Sequence, residues 1–136
     1  MVYGEPVPTP RPRFRNGHVY LPKEGKVAQQ KIAVACVPAY TLQDGEWAVI
    51  DITFYCAQQK EKDIDNMIKT VLDGMQPHPL PTDSIRWVRF VSAEVVVVEN
   101  YPHTTVTIYY CERDSVTAAR AFRAERSRQA LSRAQI

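Results

Sequence analysis

The sequence has no apolar run long enough to cross a bilayer. Its longest aliphatic stretch is the four valines at 95–98, whereas a spanning helix needs about 20 consecutive apolar residues. The opening Met-Val-Tyr-Gly-Glu-Pro lacks a basic start followed by an apolar core, so no secretory signal is expected. Glycine is scarce and dispersed. Gly4, Gly17, Gly25, Gly45 and Gly74 each stand alone, which excludes a glycine-rich loop that cradles phosphate. Cys36, Cys56 and Cys111 are widely spaced and odd in number. They fit neither a disulfide framework nor a zinc site, and they point to a reducing cytoplasm. His18, His78 and His103 are scattered, two of them beside prolines, so a histidine metal centre or a nucleophilic dyad is not expected. No serine or cysteine elbow is present.

What remains is a chain of 136 residues, 45% apolar, sized for one domain with its own core. The net charge of +2 is uninformative, but its distribution is not. Residues 115–136 carry five arginines and one acid, +4, while residues 1–114 carry 12 basic and 14 acidic side chains, −2. A basic tail on a mildly acidic body often accompanies nucleic-acid binding, although a solvated arginine-rich helix has the same composition. The division expected is a globular domain over 1–111 and a basic helical tail over 112–136.

The pattern along the chain predicts an α+β domain, a mostly antiparallel or mixed sheet packed with helices. The proline-rich opening, residues 4–13, must be extended. Arg13-Phe14-Arg15-Asn16-Gly17-His18-Val19-Tyr20 reads as a hairpin turning at Asn-Gly. Pro22 is expected to open a helix that continues to about residue 37, with Gly25 weakening its start. Residues 46–56 read as a strand with Ala48, Ile50, Ile52 and Phe54 on one face. Residues 63–75 form the clearest helix, with Ile64, Met67, Ile68, Val71, Leu72 and Met75 as its apolar stripe. Pro77, Pro79 and Pro81 impose a loop. Residues 85–98 read as β structure with a break near 92–94, residues 104–111 as a strand, and residues 115–133 as a final helix capped by Ser115.

Chemistry concentrates in the helix over 63–75. Its polar stripe is Asp65, Asn66, Lys69 and Asp73, with Asp65, Lys69 and Asp73 in a row at spacing four. Asp63 lies at the first turn, where a carboxylate can cap open N–H groups. If a turn brings Asp63 and Asp65 together, they offer a hard cation such as Mg²⁺ two oxygen donors, with waters and a substrate phosphate filling the remaining positions. Asp83, after the proline loop, supplies a further carboxylate at an element boundary. The same acids equally serve as ordinary caps, and Lys69 as an ordinary surface pair; the spacing leaves both readings open. Asp73, about three turns from Asp63, is assigned a structural place. Arg11, Arg13 and Arg15 are candidate phosphate contacts or, equally, a solvated edge that discourages sheet-to-sheet pairing.

Taken together, Gly4-Glu5-Pro6-Val7-Pro8 with Arg11-Pro12-Arg13, Lys62-Asp63-Ile64-Asp65-Asn66 followed by Lys69, and Asp83-Ser84-Ile85 resemble the RusA family of Holliday-junction resolvases over about residues 4–110. The resemblance implies a homodimer of α+β subunits and Mg²⁺ dependence, with Mn²⁺ as a substitute. It also implies paired symmetric nicks across four-way DNA junctions, in recombination and repair, by a cytoplasmic, bacterial or phage-encoded enzyme. It makes Asp63, Asp65 and Asp83 the catalytic, metal-holding aspartates and Lys69 the essential lysine. Arg11, Arg13, Arg15, Lys62 and Asn66 are expected to contact DNA. The chain departs from the family pattern at Thr82, where an aspartate is common, and at Glu94, near an expected lysine. Rival readings are a same-fold nuclease for flaps or forks, a branched-DNA-binding module without the reaction, and, remotely, an interaction protein whose acids are only caps.

Overall fold

A computed structural model of the chain describes residues 1–10, 13–57, 61–112, 120–121 and 123–125. The central element is β4 (Glu46–Cys56), and the apolar content of its 11 residues explains its position. Ala48, Ile50, Ile52, Phe54 and Cys56 point to one side and join the main core. Trp47 and Val49 point to the other and pack with Cys111 and Phe90. A strand so deeply placed, buried along one face and at its start on the other, needs partners on both edges, since unpaired backbone groups would otherwise be stranded away from water. β5 (Val88–Val97) pairs along one edge in parallel, from Ala48↔Val88 to Cys56↔Val97. β6 (His103–Glu112) pairs along the other edge antiparallel, from Glu46↔Glu112 to Tyr55↔His103. The short β1 (Val2–Tyr3), which the sequence pattern does not reveal, extends the sheet on the outer edge of β6, giving the order β1-β6-β4-β5.

The sheet is therefore mixed, as one of the two expected forms. The expected break at residues 92–94 does not occur. Ser92, Ala93 and Glu94 stay in register with Asp51, Ile52 and Thr53, because ladder bonds to a fully paired central strand hold the backbone whatever the side chains prefer. The strand also starts later than expected, leaving Ile85 outside it and exposed.

α1 (Lys23–Ala35) and α2 (Ile64–Gly74) contribute to the same core. Pro22 is the N-cap of α1 rather than its first residue. In α2, Met67 and Val71 are buried together with Met75 at the C-cap, and Ile68 and Leu72 are half-buried against them. Ile64 departs from the expected stripe and lies 42% exposed, since helical period says which residues share a face and not how far along the helix that face is covered. The hairpin forms as expected: β2 (Arg13–Arg15) pairs with β3 (His18–Tyr20), and Asn16 (φ 50°) and Gly17 (φ 78°) take the two left-handed positions of a tight turn. Arg120–Ala121 and Arg123–Glu125 are helical; the rest of the expected tail helix, like Arg11, lies outside the described residues. Among the described residues, no helix is long and apolar enough to cross a membrane.

α1 and α2 approach most closely at Gly74. A Cβ there would lie 2.7 Å from Ile32 Cβ and 2.9 Å from the Gln29 carbonyl oxygen, a backbone atom of α1 that cannot rotate away. Gly74→Ala improves helix propensity by about 1 kcal/mol, but the overpacking costs about 1–3 kcal/mol or more. Net destabilisation is expected, seen as a lower Tm in calorimetry; an unchanged or raised Tm would show that the two helices can part without cost.

Candidate active site at the start of α2

β4 and β5 run in parallel, so the connection between them must return along the sheet, and α2 makes that return. It begins beside the carboxyl end of β4 and ends beside the amino end. A clasp locks the first of these junctions. Lys62 Nζ donates to Glu5 Oε1 at 2.8 Å and to the Pro6 carbonyl at 3.0 Å, and Ala57 N–H donates to Glu5 Oε2 at 3.1 Å. The pair is mostly withdrawn from water. One carboxylate thus ties the proline-rich opening both to the end of β4 and to the residue before Asp63. Further along, Thr9 N–H donates to the Asn66 carbonyl at 3.0 Å, and the Thr9 and Thr70 hydroxyls are 2.8 Å apart.

On this foundation Asp63 is the N-cap residue of α2, with extended backbone (φ −80°, ψ 123°). Its side chain makes no capping bond. Both carboxylates are engaged by Asn66 instead: its amide Nδ2 donates to Asp63 Oδ2 at 3.4 Å, and its backbone N–H to Asp65 Oδ1 at 2.9 Å. Asp63, Asp65 and Lys69 are exposed. Lys69 Nζ lies 3.5 Å from Asp73 Oδ2, so the expected row is realised with the lysine paired to its C-terminal neighbour. An exposed pair of this kind contributes at most about 1 kcal/mol, so Lys69 can exchange Asp73 for a phosphate at little cost.

Asp83 is elsewhere. The loop after α2 stays at the far end of the helix, where Leu80 N–H donates to the Met75 carbonyl and Leu42 N–H to the Pro79 carbonyl. Trp87 and Val88 N–H groups both bind the Ser84 carbonyl just before β5. Asp63 stands at the start of α2, a helix about 16 Å long at about 1.5 Å per residue, and Asp83 follows the loop at its other end. Accordingly, among the described residues no group of three or more His, Cys, Asp or Glu side chains is placed to hold one metal ion. The donors that are together, two solvent-facing carboxylates, match the small number a Mg²⁺ ion takes from protein when phosphate and water complete its sphere.

The other candidates for chemistry are occupied. His78 accommodates the proline loop, one ring nitrogen on Thr41 Oγ1 and the other on the Cys36 and Val37 carbonyls. Burial pushes the Cys36, Cys56 and Cys111 thiols above the usual cysteine range, so none is a ready thiolate nucleophile. A cavity of about 400 Å³ lies inboard, walled by Phe54, Met67 and Val71, and neither Asp63 nor Asp65 lines it. The carboxylates instead face open solvent, which suits a polymeric substrate larger than any pocket. Lys62, expected to contact DNA, and Asn66 are both engaged within the protein here. Glu5, which the motif reading did not assign a role, organises the site; its signal was a lone acid in a proline-rich run facing a lysine next to the first aspartate.

An exposed acid pair engaged by Asn66, with a lysine one turn on, is a donor set of the kind a hard cation and a phosphate could share. The family model described as Endodeoxyribonuclease RusA matches residues 3–109. The chain belongs to this family of Holliday-junction resolvases, DNA endonucleases by family. Among curated proteins no sequence matches the chain.

Replacing Glu5 by Gln leaves the Lys62 ammonium largely withdrawn from water without its counter-ion. For a pair that keeps some solvent contact we expect a cost of about 2 kcal/mol, below the 3–5 typical of full burial. A double-mutant cycle of Glu5→Gln with Lys62→Met, read by urea denaturation, should return a coupling of at least about 1 kcal/mol; additive effects would mean that the clasp contributes nothing.

Proposed function

We propose that the chain is a Mg²⁺-dependent endonuclease that resolves four-way DNA junctions by paired nicks, acting as a homodimer. The observation that carries this reading is the pair Asp63 and Asp65, both exposed and both engaged by Asn66 at the start of α2, in a chain of this family. Asp63 and Asp65 would hold the cation, which when bound polarises the scissile phosphodiester and activates water; Mn²⁺ is the natural substitute. Asn66 fixes the angle between the two carboxylates. Lys69, once turned from Asp73, offsets charge that develops on the phosphoryl oxygens in the in-line transition state. Arg13 and Arg15 supply sequence-independent phosphate affinity. Lys62 spends two of its three protons on the clasp, leaving the third for a phosphate.

Asp83 follows the far end of α2, so in this reading a second copy would bring it to the ion held by Asp63 and Asp65. The junction's two-fold symmetry calls for an isologous dimer with two matched sites, so the dimer and the role of Asp83 stand together.

Asp65→Asn should abolish cleavage of a synthetic four-way junction in Mg²⁺ while sparing junction binding; cutting near the wild-type rate would overturn the metal assignment. Asp83→Asn should be inactive as well. Mixing the two variants should restore nicking, because one of the two sites in a mixed dimer then has every aspartate. No restoration, with mixed dimers confirmed by sedimentation, would mean that Asp83 acts within its own chain or not at all. Lys69→Ala should lower kcat by about 100-fold or more with little change in junction affinity, as expected for a cation needed mainly in the transition state. An equal loss in affinity would make Lys69 an ordinary phosphate contact.

A further inference from the structure

The β2–β3 hairpin is the one described part of the fold whose every strand residue is solvent-exposed. Its pairs are Arg13↔Tyr20, Phe14↔Val19 and Arg15↔His18. Directly paired residues share a face and successive residues alternate. The ribbon therefore has two unlike faces. One carries Arg13, Arg15, His18 and Tyr20. The other carries Phe14 and Val19, which are 74% and 71% exposed. A paired phenylalanine and valine left in water on a ribbon that contributes nothing to the core is an apolar patch in need of a partner.

The position of the ribbon limits what that partner is. The ribbon's first strand begins at Arg13, three residues after Pro10. Thr9 N–H is bonded to the carbonyl of Asn66, the residue that engages Asp63 and Asp65, and Pro10 packs on Gly25 at the start of α1. The chain that leads into the hairpin is thus anchored, at Thr9, to the first turns of the helix that carries the candidate carboxylates, four residues ahead of Arg13. The hairpin's two-residue Asn16-Gly17 turn leaves little chain to be ordered at the tip. The arginines on the opposite face favour a polyanion. A partner that offers phosphates to one side of a ribbon and flat apolar surfaces to the other is a nucleic acid whose bases are exposed. Duplex DNA hides its base faces, whereas a branch point does not.

We infer that this hairpin is the element that reads the branch point: Arg13 and Arg15 hold the flanking phosphates while Phe14, backed by Val19, packs on the face of a base unstacked at the junction centre. The inference rests on the junction-cutting reading above and adds to it how branched DNA is told from duplex. Phosphate contacts by the arginines are blind to structure, whereas an apolar side chain on an unstacked base gains only where unstacking is cheap.

The test uses the full chain, without divalent metal so that no strand is cut, and a four-way junction with 2-aminopurine at its centre. Binding of the wild type should raise the fluorescence severalfold. Phe14→Ala should lose most of that rise and bind the junction about tenfold more weakly, the effect of about one lost base stack, with duplex affinity changed less than twofold. Phe14→Trp should keep the rise. Arg15→Ala should weaken junction and duplex alike and reduce the salt dependence by about one phosphate contact. The inference is overturned if Phe14→Ala keeps the fluorescence rise, if it weakens duplex and junction equally, or if it dissociates the dimer in sedimentation, which would make the apolar face a contact between copies. Wild-type cutting of the unlabelled junction in Mg²⁺ is measured alongside. If cutting fails, the resolvase reading falls; if cutting holds and the Phe14 variants behave as the wild type, the hairpin inference alone falls.

Discussion

The burial of β4, complete on one face and partial on the other, constrains everything else in this fold. Ile50, Ile52 and Phe54 fill one side, Trp47 and Val49 the other, and a strand in that position must be paired along both edges. Parallel pairing with β5 then obliges the chain to cross back over the sheet, and the amphipathic α2 is the segment that does so. The direction of that crossing sets which ends of the elements meet. It puts Asp63 and Asp65 beside the carboxyl end of β4 and Asp83 beside its amino end. The chemistry of the molecule is therefore arranged by a backbone constraint before any polar contact is made.

Polar contacts refine that arrangement. Glu5 and Lys62 join the opening segment to the end of β4 and to the residue before Asp63, across 52 and 57 residues of sequence. Because the pair is mostly withdrawn from water, its bonds gain from the low local dielectric and lose heavily when one partner is removed. Asn66 extends the same logic outward. Its carbonyl takes the opening segment through Thr9, and its two N–H groups take the two carboxylates. A helix N-cap acid that does not cap leaves its own N-terminus partly unsatisfied, a small cost in stability accepted where the carboxylate faces outward.

Much of the fold was legible because its signals are local. The alternation in residues 46–56, the i, i+3, i+4 stripe of α2 and the Asn-Gly turn each follow from a few dihedral and burial rules that need no distant partner. The misses were of the opposite kind. β1 is two residues long and exists only because the edge of β6 is available to Val2 and Tyr3. The expected break at Ser92-Ala93-Glu94 vanished because pairing with β4 overrides the weak strand preference of those residues. Ile64 fits the helical period yet is exposed, because the period does not say how far along the helix its apolar face is covered.

For the candidate site the division is similar. The sequence by itself determined that a helix would begin at Asp63, that Asp65, Lys69 and Asp73 would share a stripe, and that a basic, aromatic hairpin would precede them, since helical and strand periods are properties of adjacent residues. The first turn of α2 decided locally that Asn66 would engage both carboxylates. Tertiary structure alone decided that Glu5 would answer Lys62, that Thr9, ahead of the hairpin, would be bonded to that same turn, and that Asp83 would follow the other end of α2. Those outcomes depend on how a parallel crossover turns linear order into position, and spacing along a chain carries no information about which ends of two packed elements will meet.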